Sequence, residues 1–128
     1  MIKRWQLKRQ DYDGACSRRK EFLQLLAQRH HSADLAAHEL VFGELVANAV
    51  RYGDEPISVE VLVSTEDGTL QIRVENAGDC FNLERLLAGS PAVTATGGRG
   101  LQIVRALVET LTVEHWPSSC RVTAILKI

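Results

Sequence analysis

Apolar and polar residues recur with a helical period in the first part of this chain of 128 residues. The spacing of three to four residues predicts an amphipathic helix over residues 13–30, with Asp13 as its N-cap. A second helix is predicted from a cap at Ser32 or Asp34 to Gly53, because glycine commonly follows the last turn of a helix. This part of the chain is therefore predicted to form two helices.

The period then changes to two, which is typical of strands. Apolar residues alternate with polar ones over residues 57–64 and 70–75, with a turn between them. This arrangement predicts an antiparallel hairpin with one buried face. Shorter alternating stretches predict an edge strand at residues 3–7 and two final strands at residues 111–115 and 122–128.

The region between the hairpin and the final strands is less regular. Residues 81–87 predict a short helix, and residues 88–97, which are mostly small or threonine, predict a mobile loop. A third long helix is predicted from Gly100. Its apolar positions are Leu101, Val104, Leu107, Val108 and Leu111. Together the elements predict one α+β domain over residues 1–128, a two-layer sandwich in which helices cover one face of a mixed, mainly antiparallel sheet.

Charge and cysteine content narrow the classes of function. Fifteen basic residues against sixteen acidic ones give a net charge of -1, so the chain lacks the basic field that attracts nucleic acid. The sequence has no apolar run long enough to span a membrane, and we expect a cytoplasmic protein. Cys16, Cys80 and Cys120 are odd in number and far apart, which predicts free thiols rather than a disulfide framework or a metal site.

The second predicted helix carries two polar residues at the margin of its apolar face. Glu44 and Asn48 are four residues apart, so they share one side of the helix. A partly buried acid or amide costs free energy unless it finds a partner, and backbone or water is the simplest partner for either residue taken alone. His38, in contrast, is predicted to point into the apolar arc as a hydrogen-bonded core residue.

Two glycine-containing stretches end other predicted elements. Asn76 and Gly78 close the second hairpin strand, where Gly78 would let the backbone turn tightly and approach a flat ligand. The stretch GGRGL at residues 97–101 leads directly into the third helix. Glycines ahead of a helix expose backbone N–H groups that suit a phosphate, although such a run alone is equally typical of a flexible connector.

The order of these three stretches resembles the N box and the two glycine boxes of the GHKL ATPase superfamily, which includes histidine kinases, gyrase B and MutL. The resemblance covers residues 35–128. Within that superfamily, ELVANAVRYG at residues 44–53 and GGRGLQIV at residues 97–104 resemble the motifs of the bacterial anti-sigma factor serine kinases. The resemblance implies the histidine kinase-like (Bergerat) ATPase fold, with ATP and Mg²⁺ as cofactors.

The resemblance also implies a role for each motif residue. Asn48 matches the magnesium ligand, and Glu44 matches the proposed general base that accepts a proton from the attacking serine hydroxyl. Gly98 and Gly100 match the glycines that hinge the lid and cradle the phosphates. Arg99 lies between them and is either a phosphate partner or a solvent-facing arginine. The expected nucleotide-binding residues are Asn48, Asn76, Gly78, Gly98, Arg99, Gly100 and Leu101.

The first glycine box departs from the family pattern D-x-G-x-G, in which the aspartate accepts a hydrogen bond from the adenine amino group. Here Asn76, Gly78 and Cys80 occupy the three positions. Asn76 still offers an acceptor oxygen, but it is neutral, and we expect the lost charge to weaken binding by about 1 kcal/mol. Cys80 in place of glycine would narrow the space beside the base. Asp79 could replace the aspartate only through a register shift.

The resemblance implies an ATP-dependent protein serine kinase that phosphorylates a STAS-type anti-sigma factor antagonist, sequesters a sigma factor and forms a homodimer, without contacting nucleic acid or membrane. The alternative is a non-catalytic partner-switching module with weak or no nucleotide binding, which the residues at positions 76 and 80 favour. A detached histidine-kinase catalytic domain is less favoured, because His30 and His31 lack a recognisable phosphoacceptor setting. A nucleic-acid binder would need a basic stripe or an aromatic platform.

Overall fold

A computed structural model of the chain describes residues 1–29, 34–78 and 99–128, and it has the two predicted layers. In chain order the elements are β1 (Ile2–Leu7), α1 (Tyr12–Arg29), α2 (Leu35–Tyr52), β2 (Asp54–Ser64), β3 (Thr69–Ala77), α3 (Arg99–Leu107), β4 (Thr110–Trp116) and β5 (Ser119–Lys127). The predicted α+β sandwich is confirmed. The helix predicted at residues 81–87 and the loop predicted at residues 88–97 lie outside the described residues.

The sheet has five strands in the order β1-β2-β3-β5-β4. Every neighbouring pair is antiparallel, so among the described strands the expected mixed sheet is antiparallel throughout. The alternating pattern correctly identified the buried face. On β2, for example, the residues that face the core are Ile57, Val59, Val61 and Val63. The opposite face carries ion pairs, including Arg73 with Glu60 and Arg121 with Glu75.

Carboxylates cap the two long helices. Asp11 Oδ1 accepts a hydrogen bond from the N–H of Gly14 at 2.8 Å, so α1 is capped by Asp11. The prediction of Asp13 as the cap is wrong, because Asp13 lies within the first turn. Asp34 caps α2, and Gly53 ends it, as predicted. The alternative cap, Ser32, lies outside the described residues.

An aromatic cluster joins β1, α1 and α2 in the core. The rings of Phe22 and Phe42 stack with their centroids 4.3 Å apart and their planes 7° from parallel. Trp5 approaches Phe42 edge-on, with a centroid separation of 5.6 Å. All three side chains are buried. The cluster therefore fixes α2, the helix that carries Glu44 and Asn48, against both its neighbouring helix and the first strand.

His38 holds the other end of α2 to the sheet. Its side chain is only 3% exposed, and Nε2 lies 3.1 Å from the carbonyl oxygen of Lys127 at the end of β5. The predicted role of a hydrogen-bonded core histidine is confirmed.

The third helix is shorter than its apolar pattern suggested. Helix α3 buries Leu101 and Val104, but it ends at Leu107, which is exposed. Leu111, predicted as part of the helical pattern, lies in β4. Leu111 matched the helical spacing only by coincidence, because it faces the core from β4 and lies four residues after Leu107. Among the residues that the structure describes, no helix is long and apolar enough to cross a membrane.

Candidate functional site

Helix α2 presents Glu44 and Asn48 half-buried on one face, as the pattern predicted. Among the residues that the structure describes, neither side chain has a hydrogen-bond partner. Backbone groups of the described elements therefore do not satisfy them. The polar atoms of both side chains are therefore open to water or to a ligand, and they face the same side of the helix.

Arg51 extends this polar face and was missed by the sequence analysis. It follows Asn48 by three residues and Glu44 by seven, so the three side chains lie on the same side of the helix. Arg51 is exposed, and its guanidinium carbon lies 5.2 Å from the ring centroid of Tyr52. The seven-residue spacing from Glu44 was the available signal. The helix thus places a cation one turn beyond the candidate metal ligand.

The end of β3 places Asn76 and Gly78 beside the end of α2. Asn76 is buried, and its Nδ2 donates a hydrogen bond to the carbonyl of Ala77 at 2.7 Å. This contact leaves Oδ1 as the amide atom able to accept a hydrogen bond from a ligand. Gly78 has a φ of 86°, and its N–H donates to the carbonyl of Ser118 at 2.8 Å. The turn predicted at Gly78 is therefore present.

Glycine at position 53 lets α2 approach Asn76 closely. A Cβ on Gly53 would lie 2.7 Å from Cβ and Cγ of Asn76 and 2.7 Å from the carbonyl oxygen of Ala49. Gly78 is equally close to β2, since its Cβ would lie 2.7 Å from a carboxylate oxygen of Asp54. Gly53 is thus required by packing, whereas Gly78 is required by its positive φ, because the exposed Asp54 side chain could move aside.

Replacing Gly53 with alanine is expected to lower the free energy of unfolding by about 1–3 kcal/mol, because the new methyl group overlaps Asn76. Urea denaturation measures this loss, and the side-chain amide signal of Asn76 in an NMR spectrum should shift. Gly68→Ala controls the Asn76 signal and not the stability, because alanine at a φ of 66° is itself strained, although its Cβ would have only one neighbour within 4 Å, at 3.8 Å. It should leave the Asn76 signal unchanged. An unchanged Asn76 signal in Gly53→Ala would contradict the close packing.

The third motif stretch leads into α3, which packs against α2. Helix α3 begins at Arg99, one residue before the predicted start at Gly100, and packs against α2. Leu101 and Val104 enter the core that α2 also lines. The first turn of α3 is therefore joined to the helix that carries Glu44 and Asn48. The candidate residues outside the described part of the chain are Asp79, Cys80 and Gly98.

Cys120 is a second neighbour of Asn76 that the sequence did not indicate. It lies directly opposite Asn76 in the pairing of β3 with β5, and it is buried. Cys120 is disulfide-bonded, whereas Cys16 is free and exposed. The expectation of free thiols is therefore wrong for Cys120. No motif pointed to it, because only the strand register brings it beside Asn76.

The donor atoms of the site fit a magnesium–nucleotide ligand. A neutral amide oxygen such as that of Asn48 suits Mg²⁺, which commonly takes one or two protein ligands and completes its shell with phosphate oxygens and water. Within residues 1–29, 34–78 and 99–128, no group of three or more His, Cys, Asp or Glu side chains could hold a metal ion alone. A cation at Asn48 would therefore depend on ligand phosphates. At the β3 end of the site, Asn76 Oδ1 can accept a hydrogen bond from an amino group of the same ligand.

Comparison with known families agrees with this geometry. The model of the histidine kinase-like ATPase domain matches residues 14–126, which include α2, all but the first two residues of α1, all three motif stretches and most of the sheet. No curated protein matches the chain. The match spans far more than half of the chain and covers every candidate site residue. The chain therefore belongs to the histidine kinase-like ATPase domain family.

Proposed function

We propose that this chain is an ATP-binding anti-sigma regulatory factor with protein serine kinase activity. It phosphorylates a STAS-type anti-sigma factor antagonist, sequesters a sigma factor and acts as a homodimer. The observation that carries the proposal is the pair Glu44 and Asn48, which are half-buried and unpartnered within the described residues of a chain from an ATPase family. The motifs ELVANAVRYG and GGRGLQIV support the assignment to serine kinases within that family.

Each residue has a distinct part in this proposal. Asn48 would hold Mg²⁺ through its amide oxygen, and the bound ion would supply charge neutralisation at the phosphate oxygens. Glu44 accepts the proton of the serine hydroxyl as phosphate transfer proceeds. Asn76 Oδ1 accepts a hydrogen bond from the adenine amino group. Phosphoryl transfer depends mainly on positioning and charge stabilisation, so Glu44, Asn48 with Mg²⁺ and the glycine-rich loop would suffice in principle.

Glu44→Ala is expected to keep ATP affinity near that of the wild type while slowing phosphate transfer by about 10²–10⁴-fold, because only proton acceptance is lost. Transfer of labelled γ-phosphate to a cognate STAS protein measures the rate, and calorimetry measures the affinity. Glu39→Gln is the matched control, since Glu39 lies on the same helix but faces Arg19, with 3.6 Å between Oε1 and Nε. Full transfer by Glu44→Ala would exclude Glu44 as the base.

A non-catalytic partner-switching module on the same fold is the second candidate. It is favoured by the neutral Asn76 at the adenine acceptor position and by Cys80 at a position where the family pattern has glycine. Calorimetric titration with ATP and ADP, with and without Mg²⁺, separates the two functions. Saturable, Mg²⁺-dependent binding of ATP supports the kinase. No detectable binding at millimolar nucleotide, together with retained binding of a protein partner, supports the module.

A further inference from the structure

Cys120 carries a disulfide bond that the sequence did not predict. It lies on β5 directly opposite Asn76 on β3, and the two side chains are buried in the sheet, at 1% and 9% exposed. Side chains directly opposite each other in an antiparallel pair are close enough to touch. Gly53 packs against Asn76 from the helical layer. The disulfide therefore lies beside Asn76, the candidate acceptor for the nucleotide base.

The fold has features that favour a reversible bond over a structural one. Its core contains buried apolar side chains from α1, α2, α3 and four of the described strands, whereas domains that depend on disulfides typically have too little core. Cys16 is free and exposed. An exposed free thiol suits a reducing compartment, where disulfides are usually transient and either catalytic or redox-sensing.

We propose that the disulfide of Cys120 is a reversible redox site that lowers the affinity for nucleotide when it is oxidised. The inference rests on the proposed function, because it takes nucleotide binding at Asn76 from it and adds its regulation. The chain has three cysteines, and Cys16 is free. We therefore expect the partner of Cys120 to be Cys80, at the third position of the first glycine box.

The oxidised form restricts the space around Asn76. A disulfide holds its two residues close together, so the partner of Cys120 stays beside Asn76 while the bond is intact. Gly53 closes the helical side, and only 9% of Asn76 is exposed to a ligand. Reduction converts Cys120 into a small buried thiol and releases its partner residue. A base then has more room to approach Oδ1 of Asn76.

The chemistry is thiol–disulfide exchange with a reducing dithiol. A thiolate of the dithiol attacks one sulfur of the disulfide, and the other sulfur leaves as a thiolate that takes up a proton. Because Cys120 is only 1% exposed, the attack falls on the partner sulfur, and Cys120 is the leaving group. The second thiol of the dithiol then displaces the partner sulfur. The two cysteines gain two electrons and two protons, and the dithiol becomes a disulfide.

Calorimetric titration of the full chain with Mg²⁺–ATP, after treatment with diamide or with dithiothreitol, tests this inference. Denatured protein should show one free thiol after diamide and three after dithiothreitol. Reduction should tighten ATP binding about tenfold or more. Cys120→Ala should bind ATP like the reduced wild type after either treatment. Cys16→Ala is the matched control and should keep the full response to dithiothreitol.

Circular dichroism and urea midpoints establish that each variant is folded. Three free thiols after diamide, or ATP binding of equal affinity in both redox states, would overturn the redox site and leave the kinase in place. Absence of ATP binding in both states would contradict the kinase. The redox site is then decided by the side-chain amide signal of Asn76 in an NMR spectrum. This signal should shift on reduction of the wild type but not of Cys120→Ala, and an unchanged wild-type signal would overturn the redox site as well.

Discussion

Asn48→Ala is expected to reduce the Mg²⁺-dependent affinity for ATP by at least about 100-fold. Mutation of groups that only support metal ligands typically costs 10–100-fold, and loss of a direct ligand should reach or exceed the upper end of that range. In the absence of Mg²⁺ the difference between the variant and the wild type should be much smaller, because the amide oxygen then has no cation to bind. Calorimetric titration with ATP, with and without Mg²⁺, measures both values.

The same substitution should leave the fold intact or slightly stabilise it. Asn48 has no hydrogen-bond partner among the described residues, and alanine has a higher helix propensity than asparagine by about 0.5 kcal/mol. A large loss of binding together with unchanged or increased stability would separate a functional role from a structural one. This combination is unusual, since most substitutions destabilise a protein.

Gln71→Ala provides the matched control for Asn48→Ala. Gln71 is also a half-buried carboxamide, but it lies on β3 on the open face of the sheet, away from the helices. Its loss should leave nucleotide affinity unchanged with or without Mg²⁺. If Asn48→Ala bound Mg²⁺–ATP as tightly as Gln71→Ala, the assignment of Asn48 as the metal ligand would be wrong.

Phe42→Ala is expected to have the largest effect on stability, a loss of about 3–5 kcal/mol in the free energy of unfolding. Phe42 is fully buried and contacts the rings of both Phe22 and Trp5. Its removal would leave a cavity between β1, α1 and α2 and remove both ring contacts. A domain of this size is commonly stable by only about 5–15 kcal/mol, so the variant would unfold at much lower urea concentrations.

Chemical denaturation followed by fluorescence and by circular dichroism measures this loss. Tyr12→Ala is a suitable control, because it also truncates an aromatic residue but at a side chain that is 50% exposed. Its cost should stay within about 0.5 kcal/mol, as for other surface substitutions. A loss below about 1 kcal/mol for Phe42→Ala would mean that the cluster does not hold α2 in place.

The strands and helices of this protein were largely predictable, because each element has one buried face and the period of its apolar residues reports that face. Three details were wrong, one of them the assignment of Leu111 to the third helix when it lies in β4. Asp11 rather than Asp13 caps α1, since both carboxylates precede the same apolar pattern and only the hydrogen bond to Gly14 distinguishes them. Leu107 is exposed although its spacing is helical, because nothing in the described part of the chain covers the outer side of α3 at that point.

The sequence by itself determined that Glu44 and Asn48 share one helix face, because residues four apart on a helix are neighbours whatever surrounds them. Only the tertiary structure decided that Gly53 packs against Asn76, that Cys120 lies opposite Asn76, and that β4 is the last strand of the described sheet. These contacts join residues far apart in the chain. They depend on strand order and register, which the packing of the whole sheet determines and no local pattern encodes.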